Sequence, residues 1–349
     1  MTRSGRLTGW IERSHSHKIM FPFRRFLTGS LALGLAWGVG LFSGCATHSQ
    51  PSRVQIFETN QVVRVELDGK LFTEYHYRDV SRPYLYPILN ADGQHMTRRW
   101  PQETVENEEQ DHPHHHGLWW AHGDANGVDF WSEAKGAGRT VHQAFHAMKS
   151  GHDQGVITSR NEWVAKDGKV VATDERTLRF HAPQGENRII DFEITIHASH
   201  GDLVLGDTKE GTMAIRLAET MRLTQPKKVP GQGHILNSEG LKDGDTWGKR
   251  AGWVDYTGPV AGKTVGVAIF DAPQNPRYPT WWHVRDYGLF AANPFGLHDF
   301  EKKPKGTGNM TLPAGKSLTF RYRFLFHPDS TSPSQVAEQF QKWIHSGPR

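Results

Sequence analysis

Ile190-Asp-Phe-Glu-Ile-Thr-Ile-His-Ala-Ser199 alternates apolar and polar residues without a break. Side chains of an extended chain point to opposite faces in turn, so this period of two predicts a strand with one buried face. The same pattern returns near the C-terminus. There Leu318, Phe320, Tyr322, Phe324 and Phe326 alternate with Thr319, Arg321, Arg323 and Leu325. At the other end Val63, Val65 and Leu67 alternate with Arg64 and Glu66, and Asp68-Gly69 then gives the hairpin-turn signal before residues 70–77. Further strands are predicted at 141–148, 156–164, 170–181, 213–218, 252–256 and 265–271. Asp167-Gly168 and Gly185-Glu186 mark turns among them. One helix is legible: Ser332-Pro333 supplies a cap and a first-turn proline, and Val336, Phe340, Trp343 and Ile344 recur on one face.

Strands do not alternate with amphipathic helices, which excludes a parallel α/β sheet. No glycine-rich nucleotide loop follows a strand, and no repeat of fixed period is present. The expected fold is mainly β: a large antiparallel β-sandwich over 54–328 with a short C-terminal helix within 329–349. Its architecture is similar to the supersandwiches of mutarotase and polysaccharide-lyase type.

The 349 residues carry a formal charge of +4 and a pI near 9.0. Six of the 41 basic residues and one of the 37 acidic ones fall within 1–44, so the remainder holds 35 against 36. No basic stripe is left of the kind that neutralises phosphates, and nucleic-acid binding is excluded as an expectation. Arg24-Arg25 precede the apolar run 31–42 (LALGLAWGVGLF), which ends at Ser43-Gly44-Cys45. A charged segment, a short apolar segment and small residues before a cleavage point predict an export leader over 1–44. The run is too short to span a bilayer. Cys45 is the only cysteine, so no intrachain disulfide forms, and its setting resembles a bacterial lipobox with Phe42 where leucine is usual. The expectation is an exported periplasmic or cell-surface lipoprotein. It would be acylated at Cys45, carried on a polar tether over 45–53, and in contact with the membrane only through that anchor.

The chemistry concentrates in Asp111-His-Pro-His-His-His-Gly-Leu-Trp-Trp-Ala-His-Gly-Asp-Ala-Asn-Gly-Val-Asp-Phe-Trp131. Five imidazoles, two later carboxylates and four large aromatics suit a concave site with apolar walls and a few convergent polar groups. Three more stretches offer partners. Gly206-Asp-Thr-Lys-Glu-Gly211 carries Glu210; His283, Arg285 and Asp286 follow Trp281-Trp282; and Asn293-Pro294-Phe295-Gly296 is a turn with His298 and Asp299 beyond it. Two kinds of chemistry are open. One is a site for a divalent transition metal, with His112 and His114 on one face of an extended segment and His122 or Asp124 completing the set. The other is metal-free acid–base work by His114, His115 and His283 with the Glu210 carboxylate, while Trp119, Trp120, Arg285, Asp286 and Asn293 bind the substrate. Aromatic faces beside Arg and Asp suit stacking and hydrogen bonding to a small sugar or oligosaccharide.

Arg82-Pro-Tyr-Leu-Tyr-Pro-Ile88, the histidine block, WWHVRDYG at 281–288 and LFAANPFG at 289–296 occur in this order. In that respect the chain resembles the bacterial family named methane oxygenase PmoA, over about 54–328. The resemblance implies Arg or Lys where this chain has His116, which shifts weight to His112, His114 and His115. Its name implies a metal-dependent oxygenase. A membrane-embedded methane monooxygenase subunit, however, needs apolar helices of about 20 residues, and no such run exists here. The leading expectation is therefore an exported carbohydrate-active enzyme of lyase, hydrolase or epimerase type. A non-catalytic glycan- or peptide-binding lipoprotein is the alternative.

Overall fold

The computed structural model describes residues 51–347. The leader, Cys45 and the first part of the tether lie outside the described residues. Two eight-stranded antiparallel sheets form the body. One, here the site sheet, runs in spatial order Val54–Thr59, Val62–Leu67, Lys70–His76, Tyr84–Leu85, Leu118–His122, Gly211–Arg216, Leu289–Asn293 and Trp281–Val284. The back sheet runs His234–Asn237, Trp253–Val260, Lys263–Asp271, Ser317–Pro328, Arg188–His197, Val170–His181, Gln154–Val164 and Arg139–Lys149. The two strongest alternating segments of the sequence pair with each other at the centre of the back sheet, Ile194 opposite Phe320 and Phe192 opposite Tyr322. The Asp68-Gly69 turn has positive φ at both residues (49° and 75°), as a two-residue hairpin loop of matching twist requires.

The inner faces of the sheets meet in one core. Trp120, Met213, Ile215, Phe290 and Trp282 come from the site sheet, and Ile194, Phe320, Tyr322 and Phe324 from the back sheet. Trp120 lies 5.3 Å from Phe320, ring centre to ring centre. Each such side chain contributes about 1.5–3 kcal/mol by leaving water.

The helix Pro333–Ser346 has a full capping box between Ser332 and Gln335. Val336, Phe340 and Trp343 bury against Trp253, Phe270 and Leu325 on the outer face of the back sheet. A second, five-residue helix at Leu297–Glu301 was not expected from the sequence. The segments 118–122, 281–284 and 289–293, read from the sequence as motifs, are strands with every residue buried. No helix among the described residues is long and apolar enough to cross a membrane.

Candidate active site

Strand parity decides which motif residues can meet. On Leu118–His122, residues 118 and 120 enter the sandwich core, while Trp119 and Ala121 join a separate cluster with Ala214, Leu289 and Ala291 on the outer face of the site sheet. Across that face Trp119, Ala214, Ala291 and His283 stand in register on four adjacent strands. The two alanines are buried between Trp119 and His283. Beside His283 opens a cavity of about 540 Å3, lined by His112, His114, His115, Trp131, Lys209, Glu210, His283, Arg285 and Tyr287 among others. That volume lies within the range of small-molecule sites, about 300–1,000 Å3.

The histidine loop is held by buried arginines. Arg82 donates from Nη1 to the His114 carbonyl (2.8 Å) and from Nη2 to the Trp131 carbonyl (2.6 Å), clipping the two ends of the motif together. Arg98 and Arg216 both reach the Asp111 carboxylate. Burial opposes its ionisation, but the His112 hydrogen bond and the two guanidinium charges win, so Asp111 stays well below the usual carboxylate range. The chain then turns up into the strand at Gly117 (φ 49°), where a Cβ would sit 2.1 Å from the Leu85 carbonyl oxygen. Only glycine fits there.

The rings form an ordered stack. Tyr287 lies on His112 (5.3 Å, 11°), His112 on His115 (4.8 Å, 12°) and His115 on Trp119 (5.3 Å, 24°). Hydrogen bonds fix two tautomers. Arg216 has only N–H groups to offer, so its contact with His115 Nδ1 (3.2 Å) makes that atom the acceptor and leaves the proton on Nε2. His283 is the opposite case: its Nδ1 donates to the Lys209 carbonyl (2.7 Å), and Nε2 keeps the lone pair. Burial holds both rings neutral. His283 is pulled down to about 4, mainly by desolvation. His115 is pushed well below its ordinary value by burial and then by the Arg216 charge. His114 falls to about 4 through burial and the charge of Arg82. Of the rings that line the cavity, His115 thus keeps an imidazole N–H at Nε2 and His283 an imidazole lone pair at Nε2, both uncharged at neutral pH.

Glu210 stands at the turn before Gly211–Arg216, its carboxylate 2.5 Å from Lys209 Nζ. Gly123 lets that turn approach: its N–H donates to the Glu210 carbonyl (2.7 Å), and a Cβ would meet Glu210 Cβ at 2.8 Å. Asn293 anchors the same turn from below, donating to the Thr208 carbonyl (3.0 Å) and accepting from Phe295 N (2.8 Å).

Several sequence expectations need correction. Trp119 and Trp120 point to opposite faces, both are buried and neither lines the cavity, so neither offers a surface for stacking a ligand there. Asn293 is also buried and serves the Glu210 turn rather than the cavity wall. Asp286 does not line the cavity; its carbonyl accepts from Thr224 N. The candidate metal set does not come together. His122 shares the inner face with Trp120 and packs on Phe295 at 4.6 Å, while Asp124 caps its own turn through Gly127 N. Among the described residues no group of three or more His, Cys, Asp or Glu is arranged to hold a metal ion. Sequence reasoning passed over Arg82, Lys209, Arg216 and Tyr287. Arg216 had a signal, a charge closing the otherwise uncharged strand Gly211–Arg216, and Tyr287 lay inside the WWHVRDYG run.

Geometry defines the class: an antiparallel two-sheet sandwich with a histidine-walled cavity on the outer face of one sheet. The chain belongs to DUF6807, a family of unknown function whose model matches residues 62–341. This corrects the resemblance to methane oxygenase PmoA, and the oxygenase reading attached to that name falls with it. No curated protein matches the chain. Among solved structures it is similar to a galactose 1-epimerase from Lactobacillus acidophilus NCFM, with 8% identity over 80% of this chain and 99% of that one and a TM-score of 0.35. A GalM/aldose epimerase homologue from C. elegans gives 7% identity, coverage of 80% and 100%, and a TM-score of 0.29. A 4-alpha-glucanotransferase from Thermococcus litoralis gives 10%, 80% and 40%, and 0.27. At scores this low the likenesses carry no argument, and the site is read on its own geometry.

Proposed function

We propose that this chain is a carbohydrate-active enzyme that moves protons on a small sugar bound in the cavity between the histidine loop, Glu210 and His283. The observation that carries the reading is the His283 tautomer. Its Nδ1–H is engaged by the Lys209 carbonyl, so a neutral Nε2 lone pair is left as a base in a site lined by Glu210 and the histidine loop. His115, with its proton on Nε2, is the complementary donor to a developing oxyanion. His114, held neutral beside it, stands as a second donor or acceptor. Glu210, paired with Lys209, supplies the carboxylate of the site.

The donor set favours isomerisation or elimination over hydrolysis. Glycoside hydrolysis ordinarily uses two working carboxyl groups flanking the bond. Here the Asp129 carboxylate accepts from Trp131 N, Ser132 N and Ser132 Oγ and is tied into its turn, which leaves Glu210 alone. The non-catalytic glycan-binding alternative rested on Trp119 and Trp120, and their burial removes its main support.

The testing experiment is turnover of a monosaccharide panel by wild type and His283→Gln. Losing a general base costs roughly 100-fold or more in rate. A variant that turns over at the wild-type rate would clear His283. Export and acylation at Cys45 belong to the same proposal. Mass spectrometry of the mature N-terminus checks them, with a diacylglyceryl-modified Cys45 expected and an unmodified chain starting elsewhere contradicting them.

A further inference from the structure

Two carboxylates, Asp129 and Glu210, and two cations, Lys209 and Arg285, line the cavity, and Asp129 is tied into its own turn by Trp131 N and Ser132. Arg82 is 3.6 Å from Glu133, Arg98 and Arg216 share Asp111, and Lys209 holds Glu210. Arg285 differs from all of these. Its guanidinium lies over the rings of Tyr287 (5.4 Å) and Trp247 (5.9 Å), and among the described residues no carboxylate pairs with it, not even the adjacent Asp286. The three neutral histidines add no negative charge to balance it. Its backbone begins the tight turn between the last two strands of the site sheet, with Arg285 N bonded to the Leu289 carbonyl at 2.7 Å and Gly288 N to the Arg285 carbonyl at 3.1 Å. The base of the side chain is therefore fixed two residues from His283, and its charge is close enough to bear on both His283 and Tyr287.

We propose that Arg285 is the anion-recognition residue of this site and that the substrate is an acidic sugar bearing a carboxylate, of the uronate class. This rests on the carbohydrate reading given above and goes further by naming the substrate class. A guanidinium whose five N–H groups form a planar fork matches a carboxylate with two parallel hydrogen bonds. Aromatic faces on Tyr287 and Trp247 hold the plane without using its donors, so the fork stays available. A phosphate would be expected to find a cluster of backbone N–H groups or a long helix N-terminus as well. The nearby helix Leu297–Glu301, with only five residues, does not supply such a terminus.

The experiment is calorimetric binding to the full chain of matched pairs: D-glucuronate against D-glucose, D-galacturonate against D-galactose and D-mannuronate against D-mannose. Glucose 6-phosphate is the phosphate arm. At least one uronate is expected to bind about tenfold to a hundredfold tighter than its neutral parent, the range of a charge-assisted hydrogen-bond pair. That margin should shrink as salt is raised. Arg285→Gln, with unchanged circular dichroism and melting temperature, should bring each acid within about threefold of its parent, and Arg285→Lys should keep part of the margin because it retains the charge without the fork. Equal binding of acids and neutral sugars by wild type would overturn the inference, as would a margin that survives Arg285→Gln. A preference for glucose 6-phosphate over every uronate would overturn the carboxylate assignment. The two readings fail separately. Neutral sugars turned over through His283 without an acid preference would leave the proposed function standing alone. Selective uronate binding without any turnover would leave only Arg285. Absence of binding to every sugar would overturn both.

Discussion

The two sheets share an interior and differ on their outer faces. The back sheet is closed by a capped amphipathic helix whose Val336, Phe340 and Trp343 meet Phe270 and Leu325. Other outward positions form cross-strand polar pairs, among them the ion pairs of Arg323 with Asp191 and Arg321 with Glu193, each directly opposite in register. The site sheet is closed by an irregular loop whose backbone carbonyls are held by buried Arg82 and Arg98 and whose side chains are imidazoles. An apolar lid needs only shape and burial. A polar lid needs every buried charge to find a partner. Among the described residues Arg285 is the cation of the cavity that has no carboxylate partner.

The first way to break this comparison is through the shared interior. Ile194→Ala should cost about 2–5 kcal/mol by opening a cavity between the sheets. Urea denaturation followed by fluorescence and by far-UV circular dichroism should give one coincident, shifted transition. Two separated transitions would mean the sheets are independent.

Arg82→Ala ranks next. It removes two charged hydrogen bonds that clip the histidine loop to Trp131, and hydrogen bonds to charged groups contribute about 1.5–3 kcal/mol each. Arg323→Ala on the back sheet leaves Asp191 its His181 hydrogen bond (2.7 Å) and should cost less, about 1–3 kcal/mol in all. The two denaturation midpoints sharpen the contrast, and the reverse order would contradict it.

Acid should destabilise the fold mainly through the histidines of the site sheet. His114 and His283 titrate near 4 in the folded chain, against an ordinary 6.5. His122 does the same on the inner face. Between those values the unfolded chain binds more protons, so their contribution is complete above about pH 6.5 and is lost as pH falls towards 4. Asp271, raised to about 7 by burial in the back sheet, has the opposite sign: its contribution fades as pH rises through that same window. Three histidines outweigh one aspartate. Urea midpoints from pH 7 to 4.5 should therefore fall, and a His283→Gln background should flatten the slope. A midpoint rising towards pH 4.5 would reverse the assignment.

The smallest effect is at His122. It shares the inner face with Trp120 and packs on Phe295, away from the cavity. His122→Leu should leave turnover within about twofold, since it changes packing and no group that meets substrate. A large loss at constant fold would mean that His122 reaches the chemistry.

Legibility follows burial on one face or on two. Segments such as 190–199 and 318–326 alternate because one face meets the core and the other carries charge pairs or solvent, so period two appears in the sequence. Leu118–His122, Trp281–Val284 and Leu289–Asn293 are buried on both faces and show no alternation. They were recognised for their composition and not as strands. That misreading cost the orientation of Trp119, Trp120 and His122, since parity along one strand separates them. Glu210 and His283 drew notice because they stand in polar–aromatic runs. Their approach to the histidine loop depends on the order of strands in the sheet, which no local pattern encodes. Buried Arg82 and Arg216 were passed over because an arginine in sequence looks solvated until its carbonyl and carboxylate partners are in place.

The central claim is that His283 Nε2 is the base of a sugar site on the outer face of the site sheet. NMR of freshly dissolved neutral and acidic monosaccharides in D2O, with wild type and His283→Gln run side by side, follows both anomer interconversion and loss of C–H signals to deuterium. Wild type should accelerate one of these on at least one sugar, and the variant should lose roughly 100-fold of that acceleration while melting at the same temperature. A wild-type chain that leaves every sugar unchanged, or a variant that keeps the full rate, would contradict it.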